Sequence, residues 1–108
     1  MKFKKRQTAF HITYKKNLQS ILKIGLLPKI PKDYEQEQKG IYLFPTFNDA
    51  ENALGSWLED RIDENEDLIA LEIDITDLNP YITQSVEWEL ICSIPIKPNR
   101  ILKYIDID

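Results

Sequence analysis

The residues of this chain best suited to chemistry are the acids of Glu87-Trp88-Glu89, set in the apolar run from Val86 to Ile94. Side chains alternate in an extended strand, so the spacing predicts Glu87 and Glu89 on one face and Val86, Trp88, Leu90 and Cys92 on the other. A carboxylate fixed beside apolar surface can stabilise the positive charge that develops on a sugar as its glycosidic bond breaks. The same pair also fits the wet face of an edge strand, where acids discourage aggregation. Two further sets stand out. His11 and Thr13 look the same way along a predicted strand from Thr8 to Thr13, with Phe10 and Ile12 opposite, and could share the polar groups of a ligand. Tyr42 lies in a short predicted strand, Ile41 to Phe44, where a flat aromatic can hold a flat heterocycle. As plainer alternatives, His11 is a satisfied structural group and Tyr42 a core aromatic.

The elements that must position these residues fit within a single domain. A chain of 108 residues can bury one core without staples. With 43% hydrophobic and 30% charged residues it has an ordinary globular balance. No apolar run is long enough for a membrane span, and no signal core follows the basic Met1 to Arg6, so a cytoplasmic location without membrane is expected. Cys92 is the single cysteine, on the apolar side of its strand, and is expected to pack in the core. One histidine and one cysteine, distant in sequence, do not make a zinc site. Charge is uneven: residues 1–40 hold ten Lys or Arg against three acids, and residues 41–108 hold four against fifteen. A basic face could attract phosphate or nucleic acid, whereas the acidic remainder disfavours wrapping a duplex. Pairing of the two halves across the fold is the simpler outcome.

Leu18, Ile21 and Leu22 recur at helical spacing and predict a short helix ending at Gly25. Leu26 to Gly40 loses periodicity and contains two prolines, which predicts a loop, either a mobile connector or a lid with Tyr34 in reach of a ligand. Thr46 and Asp49 resemble a capping box opening a second helix, with Ala50, Ala53, Leu54, Trp57, Leu58 and Ile62 as its buried stripe. The acidic run Arg61 to Asp67 ends that helix. Asp67 to Ile75 then alternates, predicting a strand with Ile69, Leu71, Ile73 and Ile75 buried and the other face wet. Asn79-Pro80 marks a turn before the Glu87-Trp88-Glu89 strand, and Ile101 to Ile107 alternates as a terminal strand. The order is strand, helix, loop, strand, helix and three strands, an α+β pattern with a largely antiparallel sheet.

Taken in order, Phe10-His11-Ile12-Thr13 before a helix ending Ile24-Gly25-Leu26, then Gly40-Ile41-Tyr42-Leu43 before a second helix with Asn48-Asp49-Ala50, then Glu87-Trp88-Glu89 leading to Ile94-Pro95 and Ile101, resemble the ADP-ribosyltransferase superfamily of the His-Tyr-Glu type. The likeness covers nearly the whole chain. It implies a split antiparallel sheet with two short helices, NAD as co-substrate, and mono-ADP-ribosyl transfer to a protein or nucleic-acid target. A toxin, or an agent in phage and host conflict with an antitoxin or other partner protein, would fit that chemistry. By the same resemblance His11 would hydrogen-bond a ribose hydroxyl with help from Thr13, and Tyr42 would stack on nicotinamide. Glu89 would be the catalytic acid at the nicotinamide ribose and Glu87 the acid facing the target, roles that exchange if Trp88 packs outward. The chain is short for the superfamily, which implies trimmed target-choosing loops, and no arginine opens the first motif as in the arginine-led toxins. A non-catalytic relative that binds a partner protein, and an enzyme similar to the RNA 2′-phosphotransferases, are the alternatives within this likeness.

Overall fold

Six strands and two α-helices emerge from these patterns, and the computed structural model describes them over residues 7–29, 39–56, 63 and 65–107. The fold is α+β, with the antiparallel sheet split into two three-stranded halves. In the first half, β3 (Leu68–Asp74) lies between β1 (Thr8–Tyr14) and β6 (Ile101–Ile107), with Ala9 opposite Ile73 and Thr13 opposite Ile69. In the second, β5 (Glu89–Cys92) lies between β2 (Ile41–Leu43) and β4 (Ile82–Val86). One bridge joins the halves: Phe10 and Phe44 exchange backbone hydrogen bonds of 2.8 and 2.7 Å. Beyond that bridge β1 and β2 belong to different sheets, and the space where they diverge is the cleft described below.

Alternation accounts for the cores. Ala9, Ile69, Leu71 and Ile73 from the first half meet Ile41, Leu43, Leu90 and Cys92 from the second in the main core, which Ile21 and Leu26 help to close. The Cys92 thiol is fully buried there, as its place on an apolar face predicts. On the opposite face of β1, Phe10 packs with Phe44, Ala50 and Ala53 in a second, smaller cluster with Ile12, Phe47 and Ile105 at its margin. This second cluster corrects the expectation that one face of β3 is wet. Ala70 is fully buried because β3 is the central strand and its neighbours Ile12 and Ile105 belong to the covered face.

The helices are shorter than their patterns suggest. Helix α1 (Leu18–Ile24) follows a single 3-10 turn, Lys15–Asn17, and ends at Gly25, whose φ of 83° is the left-handed geometry that favours glycine. A Cβ at Gly25 would also run into the Ile96 carbonyl oxygen, where Leu26 and Ile96 pair through two backbone bonds of 2.9 Å. Two turns of helix can rest on the core along only one narrow line. Ile21 is buried and Leu18 partly so, while Leu22, expected in the stripe, is 49% exposed. Helix α2 (Phe47–Leu54) begins as its capping pair predicts: the Asp49 N–H donates to Thr46 Oγ1 at 3.0 Å, and that hydroxyl donates to Asp49 Oδ2 at 2.9 Å. Its inward residues Ala50 and Ala53 are buried, and the helix closes at Gly55. Trp57, Leu58 and Ile62 of the expected stripe lie outside the described residues. Thr46→Ala removes the cap, and urea unfolding should show a loss of about 1 kcal/mol. An unchanged midpoint and slope would mean that water serves Asp49 N–H as well as the threonine does.

The largest correction concerns the expected strand from Val86 to Ile94. It is two strands of a hairpin, β4 and β5, with Val86 opposite Glu89 and Glu87-Trp88 as the turn between them. There are thus four late strands rather than three, and Glu87 does not share a strand face with Glu89. Nothing in the residue types announces this turn. The usual two-residue hairpin turns put residues at positive φ and select Gly or Asn, yet Asp77 is the sole non-glycine residue with positive φ among the described residues. The register irregularity between Thr83 and Val86 absorbs the bend, and Gln84 Nε2 donates to the Glu87 carbonyl at 3.2 Å.

The basic first segment and the acidic remainder do meet in the fold. Lys15 pairs with Asp106 at 2.9 Å and Lys16 with Glu66 at 3.1 Å, both across largely exposed surface. The Asp106 carboxylate, by hydrogen bond and charge, holds the Lys15 ammonium above its ordinary pKa. No helix among the described residues is long and apolar enough to cross a membrane.

Candidate functional site

Where β1 and β2 diverge, α1 and the chain on either side of the 30–38 segment close a cleft of about 340 Å³. Its walls include His11 and Thr13 from β1, Tyr42 from β2, and the paired residues Lys29 and Gly40. Three of the residues singled out by type and spacing are thereby brought to one place. They converge because the core face of β1 runs outward from Ala9, through His11 opposite Leu71, to Thr13 opposite Ile69. Tyr34, expected to reach a ligand from the loop, lies outside the described residues.

The histidine is held in one tautomer. His11 Nδ1 lies 2.9 Å from the Tyr42 carbonyl oxygen, which can only accept, so Nδ1 carries the proton. That leaves Nε2 as an acceptor on a ring that lines the cleft. Desolvation by burial pushes the His11 pKa down, the bond to Tyr42 raises it in part, and the positive charge of Lys29 lowers it further. Neutral imidazole is therefore favoured below the ordinary value of 6.5. The complementary group sits two residues on: Asn17 Nδ2 reaches Thr13 Oγ1 at 3.5 Å and occupies an acceptor position of that hydroxyl, leaving its hydrogen to point elsewhere. An acceptor at His11 and a hydroxyl at Thr13, side by side on one strand face, suit a sugar better than an ion.

The titration of His11 has a consequence for stability. In the unfolded chain it gains a proton near pH 6.5, whereas in the fold it does so only at lower pH. Between those two values the unfolded state holds more protons, so stability falls as pH drops through the window. His11→Gln should flatten that segment of the curve in urea unfolding compared at about pH 7.5 and about pH 5.5. The same pH dependence in both proteins would refute a half-buried imidazole kept neutral by the fold.

A comparison with protein-family models finds no match, and neither does a comparison with curated proteins.

The acids stand apart from the cleft walls. Tyr42 pairs with Ile91 across β2 and β5, which places Glu89 two residues earlier on the same sheet face as Tyr42. Such diagonal neighbours are about 7–8 Å apart, within reach of long side chains. Glu89 is half-buried at the start of β5, and Glu87 is exposed in the turn. Trp88 does turn outward, 41% exposed, toward a second hollow of about 390 Å³ beside Asp49, Asn52, Ala53 and Ser56. The exchange of the two acids presumed one continuous strand, however, and with Glu87 in the turn it is Glu89 that shares the Tyr42 face.

Several cleft residues escaped the reading by type. Asn17, Ser20, Ile21 and Ile24 all line it, at i, i+3, i+4 and i+7. That helical spacing was present in the sequence, but a stripe mixing amide, hydroxyl and aliphatic groups matches neither an apolar nor a polar face. Ile24 and Leu27, 59% and 52% exposed, form an apolar rim.

Proposed function

We propose that this domain is an NAD-dependent mono-ADP-ribosyltransferase that modifies a protein or nucleic-acid target. The observation that carries the reading is the cleft where β1 and β2 part, lined together by His11, Thr13 and Tyr42, with His11 Nε2 left as an acceptor by the bond from Nδ1 to the Tyr42 carbonyl. In this reading His11 Nε2 accepts from a ribose hydroxyl and the Thr13 hydroxyl joins it on the sugar. The Tyr42 ring stacks on nicotinamide, holding a flat group with little conformational cost. The bond between nicotinamide nitrogen and ribose C1′ breaks, its electron pair leaving with nicotinamide. Glu89, on the Tyr42 face, stabilises the positive charge left on the sugar, and a target nucleophile then bonds to C1′ and loses its proton. Glu87, exposed in the turn just ahead, is in this reading the acid that meets the incoming target.

Incubation with NAD labelled in the nicotinamide ring tests this directly. Release of free nicotinamide, with ADP-ribose found by mass spectrometry on cellular protein or nucleic acid, is the expected result. The position of Glu87 and Glu89 outside the cleft walls supports a second reading, a non-catalytic relative that binds a partner protein. In that case NAD remains intact, and millimolar NAD gives neither calorimetric heat nor a thermal shift. A ligand at a hundredfold excess over its Kd would instead raise stability by about 2.7 kcal/mol.

A further inference from the structure

Lys29 is the one ionised side chain among the described residues that line the cleft. Its backbone is fixed, because its N–H donates to the Gly40 carbonyl at 3.1 Å and its carbonyl accepts from the Gly40 N–H at 3.0 Å. This reciprocal pair closes the base of the 30–38 segment, and it depends on glycine. A Cβ at Gly40 would run into the Ile91 side chain and lie 3.0 Å from the Cys92 carbonyl oxygen. Lys29 therefore projects from a built position on the same wall system as His11 and Thr13, and its charge is felt at the His11 ring. Lys15, Lys16 and Lys103 each have a carboxylate partner, whereas no described carboxylate forms an ion pair with Lys29 and none lines the cleft.

The geometry points to Lys29 as the anchor for an anionic phosphate or diphosphate on the same ligand whose hydroxyl meets His11. This rests on the proposal that the cleft takes NAD, and it names the residue that separates phosphorylated nucleosides from neutral ones. A lysine ammonium suits the task as a compact charge that can follow phosphate oxygens without fixed planar geometry. Ile21, Ile24 and Leu27 on the adjoining walls keep part of the site apolar and limit how far water weakens the attraction. The cleft then reads a nucleotide in two parts, its sugar through His11 and Thr13 and its phosphate through Lys29.

Calorimetric titration of the full chain with NAD, in wild type and Lys29→Gln, tests the assignment. In the variant the Kd should rise about tenfold, the size of one charge-assisted contact in a partly open cleft. Its dependence on salt should also flatten, because a screened charge pair has been removed. The melting temperature of the free variant should match wild type, since the exposed side chain is changed and the backbone pair with Gly40 is kept. Wild-type affinity and salt dependence in Lys29→Gln would overturn the assignment. If wild type does not bind NAD, the donor reading fails and pyrophosphate decides the anchor. Pyrophosphate should move the ring signals of His11, the single histidine, in wild type and leave them in place in Lys29→Gln. No movement in wild type would then overturn the anchor as well.

Discussion

Glu89→Gln should lower the rate of nicotinamide release from NAD by on the order of 10²–10³-fold while leaving NAD affinity and melting temperature close to wild type. Glutamine keeps the size and shape of the side chain but removes its charge and turns one acceptor oxygen into an NH2 donor, so the loss reports the carboxylate's stabilisation of the developing sugar cation. The register makes Glu89 the acid to test first. It lies on the Tyr42 face, one diagonal step from the residue assigned to nicotinamide, whereas Glu87 is in the hairpin turn. Glu87→Gln should accordingly leave hydrolysis of NAD nearly unchanged and reduce transfer to the target. Normal turnover by Glu89→Gln would remove Glu89 from the mechanism, and a large loss of NAD hydrolysis in Glu87→Gln alone would exchange the two roles.

The largest effect on stability should come from Leu71→Ala. Leu71 is fully buried at the middle of central strand β3, with His11 and Tyr104 as its partners on either side. Truncation removes its contacts with both halves of the main core and leaves a cavity that a sheet on each side cannot fill, at a cost of about 2–5 kcal/mol. Against a total of about 5–15 kcal/mol for a domain of this kind, that is a large fraction. The melting temperature should fall by at least about 10 °C. Because His11 stands directly opposite Leu71, NAD affinity should fall with it, in contrast to Lys29→Gln, where affinity changes and stability does not. A change in melting temperature under about 3 °C would show that the core collapses around the gap and that the two halves are packed less tightly than the burial implies.

Much of this architecture was legible in residue types. Alternation from Ile69 to Ile75 is long and regular, and it became the central strand. Thr46 and Asp49 marked a helix start to the residue, because capping is local chemistry between groups three positions apart. His11 and Thr13 lay on one face of their strand as spacing required, and Tyr42 on another strand joined them. Leu22 was misread because helical spacing names a face without saying how wide a contact seven residues can make. The hairpin at Glu87-Trp88 was missed for a stronger reason. Its apolar alternation continues across a turn that uses no glycine, asparagine or positive φ, and only pairing of Val86 with Glu89 shows where the chain reverses.

The sequence by itself determined the α+β class, the faces of β1 and β2, the cap of α2 and the glycine end of α1. These depend on periodicity and on contacts between near neighbours. Only the tertiary structure decided that β1 and β2 part at the Phe10–Phe44 bridge, that the resulting cleft includes Lys29, and that His11 holds its proton on Nδ1. Each of those facts depends on a partner distant in sequence: 34 separates Phe10 from Phe44, and 31 separates His11 from Tyr42. No local propensity carries such information, because the energy that selects it comes from closing two sheets over one shared core.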